Sequence, residues 1–177
     1  MKIVLITGSP RKNGTSNYLA DHFMQGAIGA GHEVYRVDAA FADVHPCIGC
    51  ETCKEGKSEC VFKDDMLKIY PKIKEADLIA YATPLYYHAA TPQLLTVISR
   101  LHGINDQIWQ APKKAVLLST GANPNPFFFH GLKEWFMTDL KYLGWEEAGS
   151  LFVEGVYARE DIEKQMQVKR HMNWAGI

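Results

Sequence analysis

Four cysteines, Cys47, Cys50, Cys53 and Cys60, follow the spacing C-x2-C-x2-C-x6-C and are the only cysteines in the chain. Three thiols at two-residue intervals match the way one loop wraps a 4Fe–4S cubane. Zinc more often takes two separated C-x2-C arms, and cysteines that ligate nothing are a third alternative that the spacing leaves open. Pro46 and Gly49 supply the stiff entry and tight turn that such wrapping needs. A second run with chemical potential is Gly8-Ser9-Pro10-Arg11-Lys12-Asn13-Gly14-Thr15-Ser16-Asn17. It follows the apolar run Lys2–Thr7 and precedes an apolar helical period at Tyr18, Leu19, Phe23 and Met24. At a helix start the first backbone N–H groups lack intrahelical partners and the macrodipole is positive, so an anion is favoured there.

The loop's composition narrows the anion. Five residues separate Gly8 from Gly14, and Thr15 stands where a triphosphate-binding loop needs lysine. Ser9-Pro10 after Gly8 breaks the G-x-G-x-x-G dinucleotide pattern. Hydroxyls at Ser9, Thr15 and Ser16, with the Asn17 amide, suit a monophosphate, and Arg11 is a candidate to pair with it. A serine-capped turn without ligand is the plainer alternative. The third run is Thr83-Pro84-Leu85-Tyr86-Tyr87-His88, where a rigid turn residue precedes two aromatic rings that cannot both face one core, an arrangement suited to a planar ligand. His88 is a candidate catalytic proton donor, with an ordinary surface-loop histidine as the alternative. Phe127-Phe128-Phe129 either walls the site, packs across an interface or begins a helix by burial.

The elements that must position these runs alternate regularly. Strands are expected at Lys2–Thr7, His32–Asp38, Asp77–Thr83, Lys113–Thr120 and Gly149–Gly155. Helices are expected at Ser16–Gly29, Asp65–Glu75, Thr91–His102, Phe127–Leu143 and Arg159–Met172. Strict alternation predicts an α/β fold, a parallel sheet with helices on both faces. A phosphate loop after the first of five strands suggests the flavodoxin order 2-1-3-4-5, with a ligand beyond the carboxyl ends of strands 1, 3 and 4. The long connection from Ala39 to Lys63, residues 39–63, contains every cysteine, and loops of that length are usually functional.

With 177 residues, 47% of them in the apolar set and 22% charged, the expectation is one domain spanning residues 1–177. A formal net charge of −1 gives no basis for nucleic acid or an anionic membrane as partner. The apolar run after Lys2 is too short for a signal-peptide core and no stretch approaches a membrane span, so the expected location is the cytoplasm.

Taken together, these runs resemble the flavodoxin-like NAD(P)H-dependent FMN reductases and, within them, the iron–sulfur flavoproteins. The resemblance rests on Gly8-Ser9-Pro10-Arg11 with Gly14-Thr15-Ser16-Asn17, Pro46-Cys47-Ile48-Gly49-Cys50 with Cys53 and Cys60, Asp64-Asp65-Met66, and Thr83–Tyr87. It implies a flavodoxin-like three-layer sandwich. It also implies FMN held by Ser9, Arg11, Thr15, Ser16 and Asn17 at the phosphate. Pro84, Leu85, Tyr86 and Tyr87 would line the ring, with amides from Thr120 and Gly121. NAD(P)H would be the reductant, and a quinone, azo or nitro compound, or free flavin the small-molecule acceptor. A 4Fe–4S cluster on Cys47, Cys50, Cys53 and Cys60 would pass electrons singly to or from FMN. The alternative implied activity is that of an electron carrier without its own NAD(P)H oxidation. Relatives of this kind assemble so that a long loop of one subunit borders the flavin of another, which implies a homodimer or homotetramer. Leu95-Thr96 and Ser99-Arg100 stand where the family pattern places a lysine and an Asp-Arg pair, leaving the role of that helix in subunit contacts or nicotinamide binding undefined.

Overall fold

A computed structural model describes residues 1–54 and 60–168. Five strands, β1 (Lys2–Thr7), β2 (Glu33–Asp38), β3 (Leu78–Pro84), β4 (Lys114–Thr120) and β5 (Glu146–Val153), form one sheet in the order β2-β1-β3-β4-β5. All neighbouring pairs are parallel. Helices α1 (Thr15–Gly29), α2 (Met66–Glu75), α3 (Pro92–Ser99), α4 (Asn105–Ile108), α5 (His130–Leu143) and α6 (Arg159–Val168) connect or follow the strands. This is the expected flavodoxin-like sandwich.

The layers follow from the two-residue period of a strand. In β1, Ile3 and Leu5 face a core shared with Leu19 and Ala20 of α1 and Ile162 of α6. Val4 and Ile6 face the opposite core, with Met66, Ile69 and Ile73 of α2, Leu94 and Val97 of α3, and Phe136 and Leu140 of α5. Both faces of β3 and β4 are covered, so these strands read as almost continuous apolar runs.

Three boundaries differ from expectation by three residues, each for a local reason. The helix expected to begin at Phe127 starts as a 3-10 turn, Pro126–Phe129, in which the Asn125 side chain accepts the Phe127 N–H; α5 proper begins at His130. The helix expected to reach His102 tightens into a 3-10 turn at Arg100–Ile104, and the short α4 follows. Strand β5 begins at Glu146, with a register shift opposite Ala115/Val116. Its first residues are exposed or half-buried, which is why Glu146 and Glu147 are tolerated there. The expected continuation of the last helix to Met172 lies outside the described residues. No helix among the described residues is long and apolar enough to cross a membrane.

Candidate functional site

The loop between β1 and α1 is braced before it meets any ligand. Thr91, the N-cap of α3, donates its hydroxyl to the Gly8 carbonyl at 2.8 Å and accepts the Leu94 N–H. A Cβ on Gly8 would stand 2.3 Å from Thr91 Oγ1 and 2.8 Å from Leu94 Cβ, so glycine is required by close approach. Within the loop, the Arg11 N–H donates to Ser9 Oγ at 3.2 Å. Asn17 Nδ2 donates to the Arg11 and Lys12 carbonyls at 2.9 and 3.2 Å. Asn17 therefore shapes the loop from beneath.

Helix α1 opens without a side-chain cap: Gly14 is its N-cap, and its first turn carries no acidic residue. The amides at its start are left for an anion or solvent. Beside them, the Ser16 hydroxyl is buried at 1% residue exposure and has no hydrogen-bond partner among the described residues. Buried hydroxyls are ordinarily paired, so this orphan fits a phosphate oxygen at the helix start. Thr15 Oγ1 lies 2.8 Å from Thr120 Oγ1, tying the loop to the end of β4.

A hollow of about 210 Å3 opens at the carboxyl ends of β1, β3 and β4, where the strand order changes direction. Ser9, Arg11, Thr15 and Ser16 line one part of it; Pro84, Leu85, Tyr86, Thr120 and Gly121 line another. Asn17 and Tyr87, named from sequence with these residues, do not line it. The Gly121 N–H is committed to the Val153 carbonyl at 2.9 Å, so Gly121 offers a bare surface there. A Cβ on Gly121 would stand 2.9 Å from the Phe129 ring, which places Phe129 directly behind this wall.

Tyr86 and Ala89 exchange both backbone N–H···O bonds at 3.0 Å around a two-residue turn. The turn residues Tyr87 and His88 have φ of 47° and 65°. Non-glycine residues pay for this left-handed backbone. The turn throws the Tyr87 ring fully into solvent and sends His88 onto Phe128, with ring centroids 4.9 Å apart. His88 does not line the hollow.

One wall has no counterpart in the sequence analysis. Val156 and Tyr157, from the loop after β5, line the hollow. Gly155 donates to the Asn123 carbonyl and Val156 to the Gly121 carbonyl, at 3.1 and 3.0 Å. Asp161 Oδ2 accepts the N–H groups of Tyr157 and Ala158, bonds that hold its carboxyl below the usual range. The Arg11 guanidinium lies 5.3 Å from the Tyr157 ring centroid. The Tyr157 phenol beside it raises the Arg11 pKa.

The four cysteines lie elsewhere, against the far end of α3. The Cys47 N–H donates to Ser99 Oγ at 3.1 Å. Arg100, 1% exposed, grips Asp64 through both terminal nitrogens and donates to the His45 carbonyl at 2.9 Å. Asp64 in turn accepts the His45 N–H at 3.1 Å. This buried pair thus pins the start of the cysteine loop. Burial pushes the Asp64 carboxyl up, but Arg100 and the N–H groups of His45 and Met66 outweigh it and hold the group below the usual carboxylate range. Cys47, Cys50, Cys53 and Cys60 line one hollow with Arg100 and Phe62. Its volume is about 20 Å3, space for a water and not for a four-iron cluster. Among the described residues, no group of three or more His, Cys, Asp or Glu side chains is arranged to hold a metal ion. None of the four thiols is in a disulfide.

Comparison with known proteins places this geometry in context. A family model described as NADPH-dependent FMN reductase matches residues 1–127. An iron–sulfur flavoprotein of Archaeoglobus fulgidus is 38% identical over 101 residues, which is 57% of this chain and 46% of that protein. An iron–sulfur flavoprotein of Methanocaldococcus jannaschii is 31% identical over 125 residues, covering 71% of this chain and 64% of that protein. The match thus spans less than two thirds of either relative's length. Among solved structures, the Trp repressor binding protein from Bacillus subtilis shares the fold, with a TM-score of 0.68 and 21% identity over 94% of each chain.

Proposed function

Because the chain belongs to the NADPH-dependent FMN reductase family, we propose that it is an FMN-dependent oxidoreductase that takes electrons from NAD(P)H and passes them to a small-molecule acceptor. The observation that carries this reading is the buried, unpartnered Ser16 hydroxyl beside the uncapped start of α1. The chemistry FMN supplies when bound is hydride uptake from a nicotinamide and delivery of electrons to an acceptor.

The residues of this chain divide the work of holding it. Ser9, Thr15, Ser16 and Arg11 hold the phosphate, while Asn17 fixes the loop's shape through the Arg11 and Lys12 carbonyls. Pro84, Leu85, Tyr86, Thr120 and Gly121 wall the ring. The hollow of about 210 Å3 would admit a phosphate and its linking chain, and the same five residues would flank the ring. Nicotinamide and acceptor would use that site in turn. A quinone, an azo or nitro compound, or free flavin fits such alternating use. His88 is outside the hollow and receives no step. In this proposal residues 1–177 are one FMN-binding domain in a homodimer or homotetramer in the cytoplasm, with residues 39–63 bordering a second subunit's flavin.

The second reading is an iron–sulfur flavoprotein electron carrier, favoured by the convergence of Cys47, Cys50, Cys53 and Cys60 on one hollow. At about 20 Å3 that hollow must open to admit a 4Fe–4S cluster.

An anaerobic spectrum with metal analysis separates these readings. The expected result is near-equimolar FMN after reconstitution, bleached by NADH or NADPH alone. Loss of all flavin on gel filtration overturns the proposal. Retained flavin that no nicotinamide bleaches, together with iron and sulfide, favours the carrier.

A further inference from the structure

The loop after β5 reaches a part of the site far from its own strand, since β3 and β4 separate β5 from β1 in the sheet. Helix packing brings it there. Helices α1 and α6 share one face of the sheet, and the Arg159 guanidinium at the start of α6 lies 5.0 Å from the Tyr18 ring centroid in the first turn of α1. Tyr157, two residues earlier, therefore stands at the phosphate end of the hollow. Its ring is not there for burial, being 69% exposed. Its backbone is nevertheless pinned on both sides, by the Val156–Gly121 bond and by Asp161. Arg11 comes from the opposite loop, held in its turn by Ser9.

We propose that Tyr157 is a positioning residue that latches Arg11 across the phosphate end of the hollow and so makes the site selective for the phosphorylated flavin. This deepens the function proposed above and rests on it. A guanidinium carries five N–H donors in a rigid fork. Stacking over the Tyr157 ring uses the face of that fork and leaves its N–H edge free for phosphate oxygens. An arginine already held in place loses less freedom when it binds the anion. The latch acts on the charge of the ligand and not on its ring. It therefore strengthens binding of FMN and leaves riboflavin, the same molecule without phosphate, unaffected.

The test measures dissociation constants for FMN and riboflavin by quenching of flavin fluorescence in the full chain, for wild type, Tyr157→Ala, Tyr157→Phe, Arg11→Gln and Tyr157→Ala/Arg11→Gln. Tyr157→Ala is expected to weaken FMN binding roughly three- to tenfold, as loss of a cation–ring contact implies, with riboflavin unchanged. Tyr157→Phe keeps the ring and stays close to wild type. Arg11→Gln weakens FMN at least as much, and adding Tyr157→Ala to it has no further effect. The latch is overturned if Tyr157→Ala leaves FMN affinity unchanged, if riboflavin weakens as much as FMN, or if the two substitutions multiply. Failure of wild type to bind FMN overturns the underlying function instead, so the two failures are distinct.

Discussion

Replacing Ser16 with alanine should move stability and ligand affinity in opposite directions. The hydroxyl is buried and has no partner among the described residues. An unmade hydrogen bond on a buried polar group costs about 1–3 kcal/mol. Removing the oxygen returns part of that cost, less the contacts the atom made, so the ligand-free variant should gain up to about 1 kcal/mol. In a domain of this size such a gain raises Tm by roughly 2–4 °C. With a phosphate present the same oxygen makes a charge-assisted bond, whose loss costs about 1.5–3 kcal/mol. At about 1.4 kcal/mol per tenfold, FMN affinity falls roughly 10- to 150-fold. Urea unfolding of flavin-free protein measures the first effect and fluorescence titration with FMN the second. Thr15→Val should shift the stability of the flavin-free protein the other way, since its hydroxyl is already paired with Thr120 Oγ1 at 2.8 Å. That change leaves a buried partner unsatisfied and should destabilise the ligand-free chain by about 1–2 kcal/mol. The reasoning is refuted if Ser16→Ala destabilises the flavin-free protein while leaving FMN affinity intact, because the hydroxyl would then have a partner within the chain.

Other substitutions test other links. Asp64→Ala strands the Arg100 cation, which is 1% exposed, and should cost about 3–5 kcal/mol in denaturant unfolding. The native Asp64 carboxyl lies below its ordinary value, so its contribution is complete above the unfolded pKa, near 4, and is lost as pH falls through the folded value. Acid unfolding followed by circular dichroism should show that loss in wild type, and Asp64→Asn should lack it. Gly8→Ala places a Cβ 2.3 Å from Thr91 Oγ1 and should destabilise by about 1–3 kcal/mol, read from the urea midpoint. Tyr87→Gly relieves a left-handed backbone of φ 47° worth about 1–2 kcal/mol at a side chain that buries nothing. Glycine's added unfolded-state entropy offsets about 0.5–1 kcal/mol, leaving net stabilisation of up to about 1 kcal/mol with FMN affinity unchanged in the same titration.

What the sequence discloses and what it conceals divide along a physical line. Residue type and strand–helix alternation predict which loops reach the carboxyl edge of the sheet, and Ser9, Thr15, Ser16, Leu85 and Thr120 all line the hollow there. Direction within a loop depends on backbone angles that composition does not fix. Asn17 has the chemistry of a phosphate ligand but spends its amide on the Arg11 and Lys12 carbonyls. Tyr87 and His88 are carried away from the hollow by two consecutive positive φ values, where no glycine announces such a turn. Contacts between distant segments are further from view. Asp64 and Arg100 are 36 residues apart, and only the docking of the cysteine loop against the end of α3 explains why both are buried. Tyr157 is the limiting case. Sheet order argues against it, since β3 and β4 intervene between β5 and the β1 loop. The packing of α1 beside α6 nevertheless carries it to Arg11. A topology of strands therefore locates the edge of the sheet where a ligand sits, while helices sharing a face decide which additional loop closes over it.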